Sequence, residues 1–182
     1  TPSSMLPLGT LAPSFSLPDV VSGKTVSLDT LRSPTATVVM FICNHCPYVK
    51  HVQDELARLA RELMPLGVSF VAISHPAVSH YPEDAPEQMC RVAQTVGYPF
   101  PYLYDQSQSV ARAYDAACTP DFYVFDGALQ LAYRGRLDDS SPGNGRPVTG
   151  KDLRTAIRAV HEQRPIPDEQ HPSMGCSIKW KH

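Results

Sequence analysis

Apolar and polar positions change period along this chain in a way that separates strands from helices. The run Thr35-Ala-Thr-Val-Val-Met-Phe-Ile42 is almost continuously β-branched or apolar, the pattern of a central strand buried on both faces. Val68-Ser-Phe-Val-Ala-Ile-Ser74 repeats it. Between them Val49, Val52, Leu56, Leu59, Ala60 and Leu63 recur at helical spacing, with Lys50, Gln53, Asp54, Arg58 and Arg61 outside that face. This spacing predicts a helix from Val49 to Met64, stopped by Pro65 and Gly67. Further on, the pattern predicts a helix near Glu87–Val96, a short strand at Phe100–Tyr104 and a short helix at Ser107–Ala116. A strand at Phe122–Asp126 turns at Gly127 into Leu129–Leu137, and Lys151–Glu162 reads as an amphipathic helix. At the front, Ser14–Leu17, Val20-Val21 and Thr25–Leu28 around a Ser22-Gly23-Lys24 turn predict a β-hairpin.

Early crossover helices and a late antiparallel hairpin predict an α/β fold, a mixed central sheet flanked by helices on both faces. No internal repeat, low-complexity block or second domain interrupts it. The chain reads as a single domain over 1–182, with 163–182 as a proline-broken C-terminal tail.

Composition narrows the partners. Apolar residues at 42% and charged residues at 19% are ordinary for a globular protein. A net charge of −2 gives no reason to expect nucleic acid or an anionic membrane surface. No apolar run approaches the ~20 residues of a membrane span. The start, Thr-Pro-Ser-Ser-Met-Leu-Pro, lacks the basic and apolar regions of a signal peptide. The cytoplasm is therefore the expected compartment; a removed leader and a periplasmic location stay open, because Thr1 is not an initiator. Oligomeric state is left undetermined.

Chemistry enters with the cysteines. Five, unevenly spaced, are too few for a disulfide scaffold. Only Cys43 and Cys46 are close, in Phe41-Ile-Cys-Asn-His-Cys-Pro47, where a buried strand hands over to a helix. Strand–CxxC–helix in a βαβ context is the reading of a thioredoxin-like redox centre. A thiolate is the attacking species in disulfide exchange, and a helix N-terminus stabilises one. Cys43 is the expected nucleophile and Cys46 the resolving thiol. His45, if charged, would favour the Cys43 thiolate, and Lys50 and His51 could add positive field. Zinc normally needs a second ligand pair, which is missing. The reading calls for no cofactor and no resident metal.

Several segments carry a family resemblance. Gly9-Thr-Leu-Ala-Pro-Ser-Phe-Ser-Leu17, Cys43-Asn-His-Cys-Pro-Tyr-Val-Lys50, Phe100-Pro-Tyr-Leu-Tyr-Asp105, Cys118-Thr-Pro-Asp-Phe122, Tyr133-Arg-Gly-Arg-Leu-Asp-Asp139 and Gly175-Cys-Ser-Ile-Lys-Trp-Lys181 resemble bacterial peroxiredoxin-like thioredoxin family proteins. These form part of the AhpC/TSA, or redoxin, branch of the thioredoxin superfamily. The resemblance implies a thioredoxin fold with Pro120 in the cis form opposite the CxxC loop. Thr119 would then offer its backbone to an extended disulfide-bearing peptide.

Departures from that family matter. Its peroxidases carry Pro-x-x-x-Thr/Ser-x-x-Cys. Counting back from Cys46 the two positions hold Cys43 and Val39; from Cys43 they hold Met40 and Ala36. The peroxidase arginine is replaced by Thr119-Pro120, leaving Arg134 or Arg136 as substitutes. The buried acid of thioredoxins is Thr37 here.

The leading expectation is thus a thiol-disulfide oxidoreductase acting in redox homeostasis on protein or small-molecule disulfides, with a thioredoxin- or glutathione-type electron donor. The alternatives are a thiol-dependent peroxidase and a thiol metal-binding module. Cys118 and Cys176 are candidate additional thiols; Cys118 could equally be a core residue, and Cys176 a resolving thiol or an exposed spectator. Cys90 reads as core. The loop from His75 to Pro86 reads as solvated, and Asp138-Asp139 as a capped turn.

Overall fold

The computed structural model describes residues 1–76 and 80–181. Part of the expected solvated loop, residues 77–79, lies outside the described residues, as does the last residue of the tail, His182. A short hairpin of β1 (Ser16–Pro18) and β2 (Thr25–Ser27) opens the chain, followed by one turn of helix, α1 (Leu28–Leu31). Val20-Val21, expected as strand, instead forms the loop, where Asp19 Oδ1 and Oδ2 accept from the Val21 and Ser22 N–H groups.

The central sheet holds β3 (Ala36–Phe41), β4 (Ser69–Ser74), β5 (Tyr102–Tyr104), β7 (Asp121–Asp126) and β8 (Leu131–Gly135) in the order β5-β4-β3-β7-β8. β4 runs parallel to β3 and β5, while β7 is antiparallel to β3 and β8. The crossovers are α2 (Pro47–Leu63), α3 (Pro86–Val96) and the short α4 (Ser109–Ala113); α5 (Lys151–His161) follows β8. The arrangement is a thioredoxin-like α/β fold with an N-terminal hairpin, as the element order predicts.

Why β3 is continuously apolar is visible in its two neighbours. All six of its residues are buried. Alternate ones face opposite ways: Ala36, Val38 and Met40 join Leu56, Leu59 and Ile157 in one core, while Val39 and Phe41 join Leu28, Tyr114 and Phe125 in another. Period-two alternation between two covered faces leaves no position for a polar residue other than Thr37, whose hydroxyl accepts from the Ser33 N–H at 2.9 Å.

The tail is not a loose end. It returns across the molecule, and β9 (Cys176–Ser177) pairs antiparallel with β6 (Cys118–Thr119). Neither two-residue strand is legible in the sequence, because two residues carry no period. Among the described residues no helix is long and apolar enough to cross a membrane.

Candidate redox site

The site begins where β3 ends. Ile42 still follows the sheet, its N–H donating to Ile73 O at 3.1 Å, and the chain then bends through Cys43-Asn44-His45. Helix α2 starts at Pro47, whose missing N–H and fixed φ suit a first helical position. The N-cap is therefore Cys46, not Cys43. The helix begins one turn later than the expectation for Cys43 requires, and its positive end faces the second cysteine.

Both sulfurs are covered: Cys43 is 3% and Cys46 0% exposed. Among the described residues all five cysteines are free thiols. Thr119 lies against both, its Oγ1 3.4 Å from Cys43 Sγ and its carbonyl oxygen 3.4 Å from Cys46 Sγ. The Thr119-Pro120 bond is cis and sits opposite the CxxC loop, as the resemblance implies.

The two thiols are not equivalent. Cys46 is held down to about 4, first by a hydrogen bond from the Cys43 thiol, against burial, then by the Cys176 thiol and the Val49 and Cys176 N–H groups. Val49, in the first turn of α2, faces the sulfur without making a full capping hydrogen bond. Cys43 moves the other way, well above the usual thiol range, because its S–H donates a hydrogen bond to Cys46, it is buried and it lies near the Asp84 carboxylate. Backbone donors reach Cys46 and a carboxylate reaches Cys43, so the shared charge belongs on Cys46.

Asp84 is the residue that sequence reasoning missed. The Tyr81–Pro86 segment was expected as solvated, yet Asp84 is 1% exposed. Its Oδ1 accepts from the Asn44 N–H at 2.8 Å and the His45 N–H at 3.2 Å, and Oδ2 accepts from His45 Nδ1. Asn44 completes the brace, giving its amide to Glu83 O and accepting from the buried Tyr102 hydroxyl at 2.9 Å. The His45 ring stacks on Tyr81, centroids 3.7 Å apart and planes 5° from parallel. His45 is thus bound to an acid whose charge acts on Cys43 in the opposite sense to that expected of the imidazole. The only sequence signal for Asp84 was an acid close after a sheet strand.

The other expected sources of positive field point elsewhere. Lys50 pairs with Glu83 at 3.6 Å on the surface, and His51 bonds Ser140 Oγ at 2.7 Å. Arg134 donates to Leu6 O and Gln170 Oε1, both at 2.8 Å, and Arg136 to Asp152 Oδ2 at 2.6 Å, so neither replaces the peroxidase arginine. His75, at the start of the loop expected as solvated, is buried, its Nε2 has no partner among the described residues, and burial pushes it down to about 4.

Of the remaining thiols, Cys118 is fully buried, its sulfur directed at Pro120 O and Ser173 O, and burial pushes it well up. Cys176 is half-buried and in direct contact with Cys46, Sγ to Sγ 2.7 Å. Burial and its hydrogen bond to Cys46 push it up to about 12. Cys90 is half-buried on α3. The Asp138 turn is capped as expected, Oδ2 accepting from the Thr149 and Gly150 N–H groups at 2.8 Å. The thiols do not gather into one metal-binding set; the described group with suitable spacing is Cys43, His45 and Asp84, their ligand atoms within 4.8 Å of one another.

A buried carboxyl stands directly after Pro120. Asp121 is 1% exposed, accepts from the Tyr123 hydroxyl at 3.1 Å, and is pushed up to about 8 by burial. A raised carboxyl favours the fold fully below its unfolded range, near 4, and loses that contribution as pH rises through about 8. Asp121→Asn is expected to raise Tm at pH 8, by about 2–4 °C for each kcal/mol relieved, with little change at pH 4. Thermal unfolding at the two pH values checks this; a lower Tm at pH 8 would contradict it.

The comparisons with known proteins agree with this geometry. An AhpC/TSA family model matches residues 8–134. An uncharacterized conserved protein from Geobacillus kaustophilus is 61% identical, with 100% of this chain and 96% of that one covered and a TM-score of 0.98. A hypothetical protein from Sinorhizobium meliloti 1021 is 43% identical over 100% and 98%, with a TM-score of 0.97. A secreted Mycobacterium tuberculosis disulfide oxidoreductase, 16% identical over 80% and 95% with a TM-score of 0.63, shares the fold. No curated protein matches significantly. With a matching model over most of its length and close relatives over all of it, the chain belongs to the AhpC/TSA family of the thioredoxin superfamily.

Proposed function

We propose that this chain is a thiol-disulfide oxidoreductase working through the Cys43–Cys46 dithiol. The observation that carries this reading is Cys46 at the N-cap of α2, with the Cys43 thiol donating to its sulfur and Thr119 packed against both cysteines. Cys46 attacks a substrate disulfide R–S–S–R′, forms Cys46–S–S–R and releases R′ as a thiolate that takes a proton from solvent. Cys43 then gives up its proton and attacks Cys46 Sγ, closing Cys43–Cys46 and releasing RSH. The order reverses the one expected from the sequence, because the helix start lies at Cys46. Asp84 and Asn44 fix the loop, and Thr119 and Pro120 form the opposite wall.

The reading is tested with the reduced protein and a disulfide-bonded polypeptide such as insulin. Cys46→Ser is expected to lower the exchange rate at least about 10³-fold, a barrier change of about 4 kcal/mol. With both neighbouring thiols removed, in Cys43→Ser/Cys176→Ser, a mixed disulfide is expected to accumulate on Cys46. Full activity in Cys46→Ser would sink the proposal.

A second reading, a thiol peroxidase, draws on the same depressed Cys46 with a second thiol beside it. It requires donors for the leaving oxygen, and Arg134 and Arg136 are committed to other partners. Peroxide consumption no faster than that of a free cysteine is the expected result.

A further inference from the structure

The edge of β6 is already filled, by this chain itself. β9 lies antiparallel to it in a register that sets Cys176 opposite Thr119 and Ser177 opposite Cys118. Ile178 extends the pairing, its N–H donating to Ala117 O at 3.2 Å. This is the geometry of strand addition, in which backbone bonds supply affinity and side-chain positions supply selectivity. The side chain delivered against Cys46 is a cysteine, 130 residues away in sequence, with its sulfur at 2.7 Å where a disulfide would need about 2.0 Å.

The fit is built on both sides of Cys176. At Gly175 a Cβ would fall 1.9 Å from Thr119 O, so only glycine lets the strand approach this closely. Before it, Ser173 Oγ donates to Pro120 O at 2.6 Å. After it, the fully buried Gln108 gives its amide to Lys179 O at 2.9 Å and accepts from the Lys181 N–H at 2.7 Å. Trp180 is covered by the Arg112 guanidinium, 4.3 Å from the ring centroid. Gln108 holds φ +64 to make these bonds, a conformation that is costly for a residue with a side chain.

We infer that Gly175–Ser177 is a built-in substrate strand: Cys176 forms an intramolecular disulfide with Cys46, and a cysteine-bearing polypeptide enters by displacing this segment from Cys118–Thr119. The inference rests on the proposed exchange activity and adds a third redox thiol and a substrate class to it. The overall step is R–S–S–R′ plus the Cys46 and Cys176 thiols giving Cys46–S–S–Cys176, RSH and R′SH; the substrate disulfide is the oxidant. Cys43 can then attack Cys46 Sγ, transferring the disulfide to Cys43–Cys46 and releasing Cys176 as a thiol.

The full-length Cys43→Ser variant, reduced and then treated with glutathione disulfide, tests the first part. Peptide mapping is expected to find Cys46 linked to Cys176, with two glutathione thiols released per chain. A stable glutathione adduct on Cys46 beside a free Cys176 would overturn the inference. If the wild-type protein fails to oxidise at all, the exchange activity itself is wrong, a different result from wild-type oxidation at Cys43–Cys46 without any Cys46–Cys176 link in the variant. Gly175→Val tests the second part with all cysteines present. By removing competition from the tail it should speed reduction of a disulfide-bonded peptide about tenfold or more. An unchanged or slower rate in a variant with wild-type thermal unfolding would overturn the displacement.

Discussion

The reduced protein is expected to keep a thiolate at Cys46 down to about pH 4, below the range of an ordinary thiol. Thiolate absorbance near 240 nm should show one step around pH 4 that Cys46→Ser removes. Stability of the reduced form is linked to the same ionisation. For a group whose folded value lies below its unfolded one, the contribution is fully present above the unfolded value and is lost as pH falls through the folded value. Unfolding free energy should therefore rise from about pH 4 towards 9, and Cys46→Ser should flatten this rise. Because Cys43 is displaced upwards, it has the opposite trend, confined to pH above the ordinary thiol range. In the proposed exchange, a thiolate stabilised in the reduced state favours reduction of a Cys43–Cys46 disulfide and places the pair towards the oxidising end of the thioredoxin-like range. An absorbance step near pH 9 in place of 4 would show that Val49, Cys43 and Cys176 do not act on Cys46 together.

Removing Asp84 is expected to be the most destabilising change near the site that touches no sulfur. Its carboxylate satisfies the Asn44 and His45 N–H groups and holds His45 Nδ1, all in a buried position. Asp84→Ala leaves these donors without acceptors in a place closed to water. Breaking a buried hydrogen-bonded pair of this kind costs about 3–5 kcal/mol, a fall in Tm of about 6–20 °C. Asp84→Asn retains one carbonyl acceptor, so its loss should be smaller. Both substitutions remove the negative charge beside Cys43 and should bring that thiol back towards its ordinary range. Denaturant unfolding measures the first effect and thiol titration the second. If Asp84→Ala unfolds at the wild-type denaturant midpoint, the loop is held by Asn44 and Tyr102 without it.

Local pattern determined the elements and their order. β3 and β4 are readable because a strand covered on both faces excludes polar residues, and α2 and α5 because a surface helix must alternate at 3.6 residues. The CxxC pair and its place after a buried strand were also legible, as a short run with its own chemistry, whereas the Thr119-Pro120 wall followed only from the family resemblance. The start of α2 was legible only in part: Pro47 marks a first helical position, but the periodic pattern begins at Val49 and does not say which cysteine caps the helix.

Tertiary structure alone decided what surrounds the two thiols. Asp84 meets the CxxC loop across 39 or 40 residues, Gln108 meets the tail across about 71–73, and Cys176 meets Cys46 across 130. No period links such positions, because each contact exists only after the crossovers have closed and the sheet register is set. Gly175 reads from sequence only as part of the proline-broken tail; in the fold it is the one residue small enough to lie on Thr119 O. The sequence therefore determined that this protein carries a thiol pair at the end of a central strand. Only long-range packing decided that Asp84 braces the loop of that pair and that the chain's own Cys176 rests against Cys46.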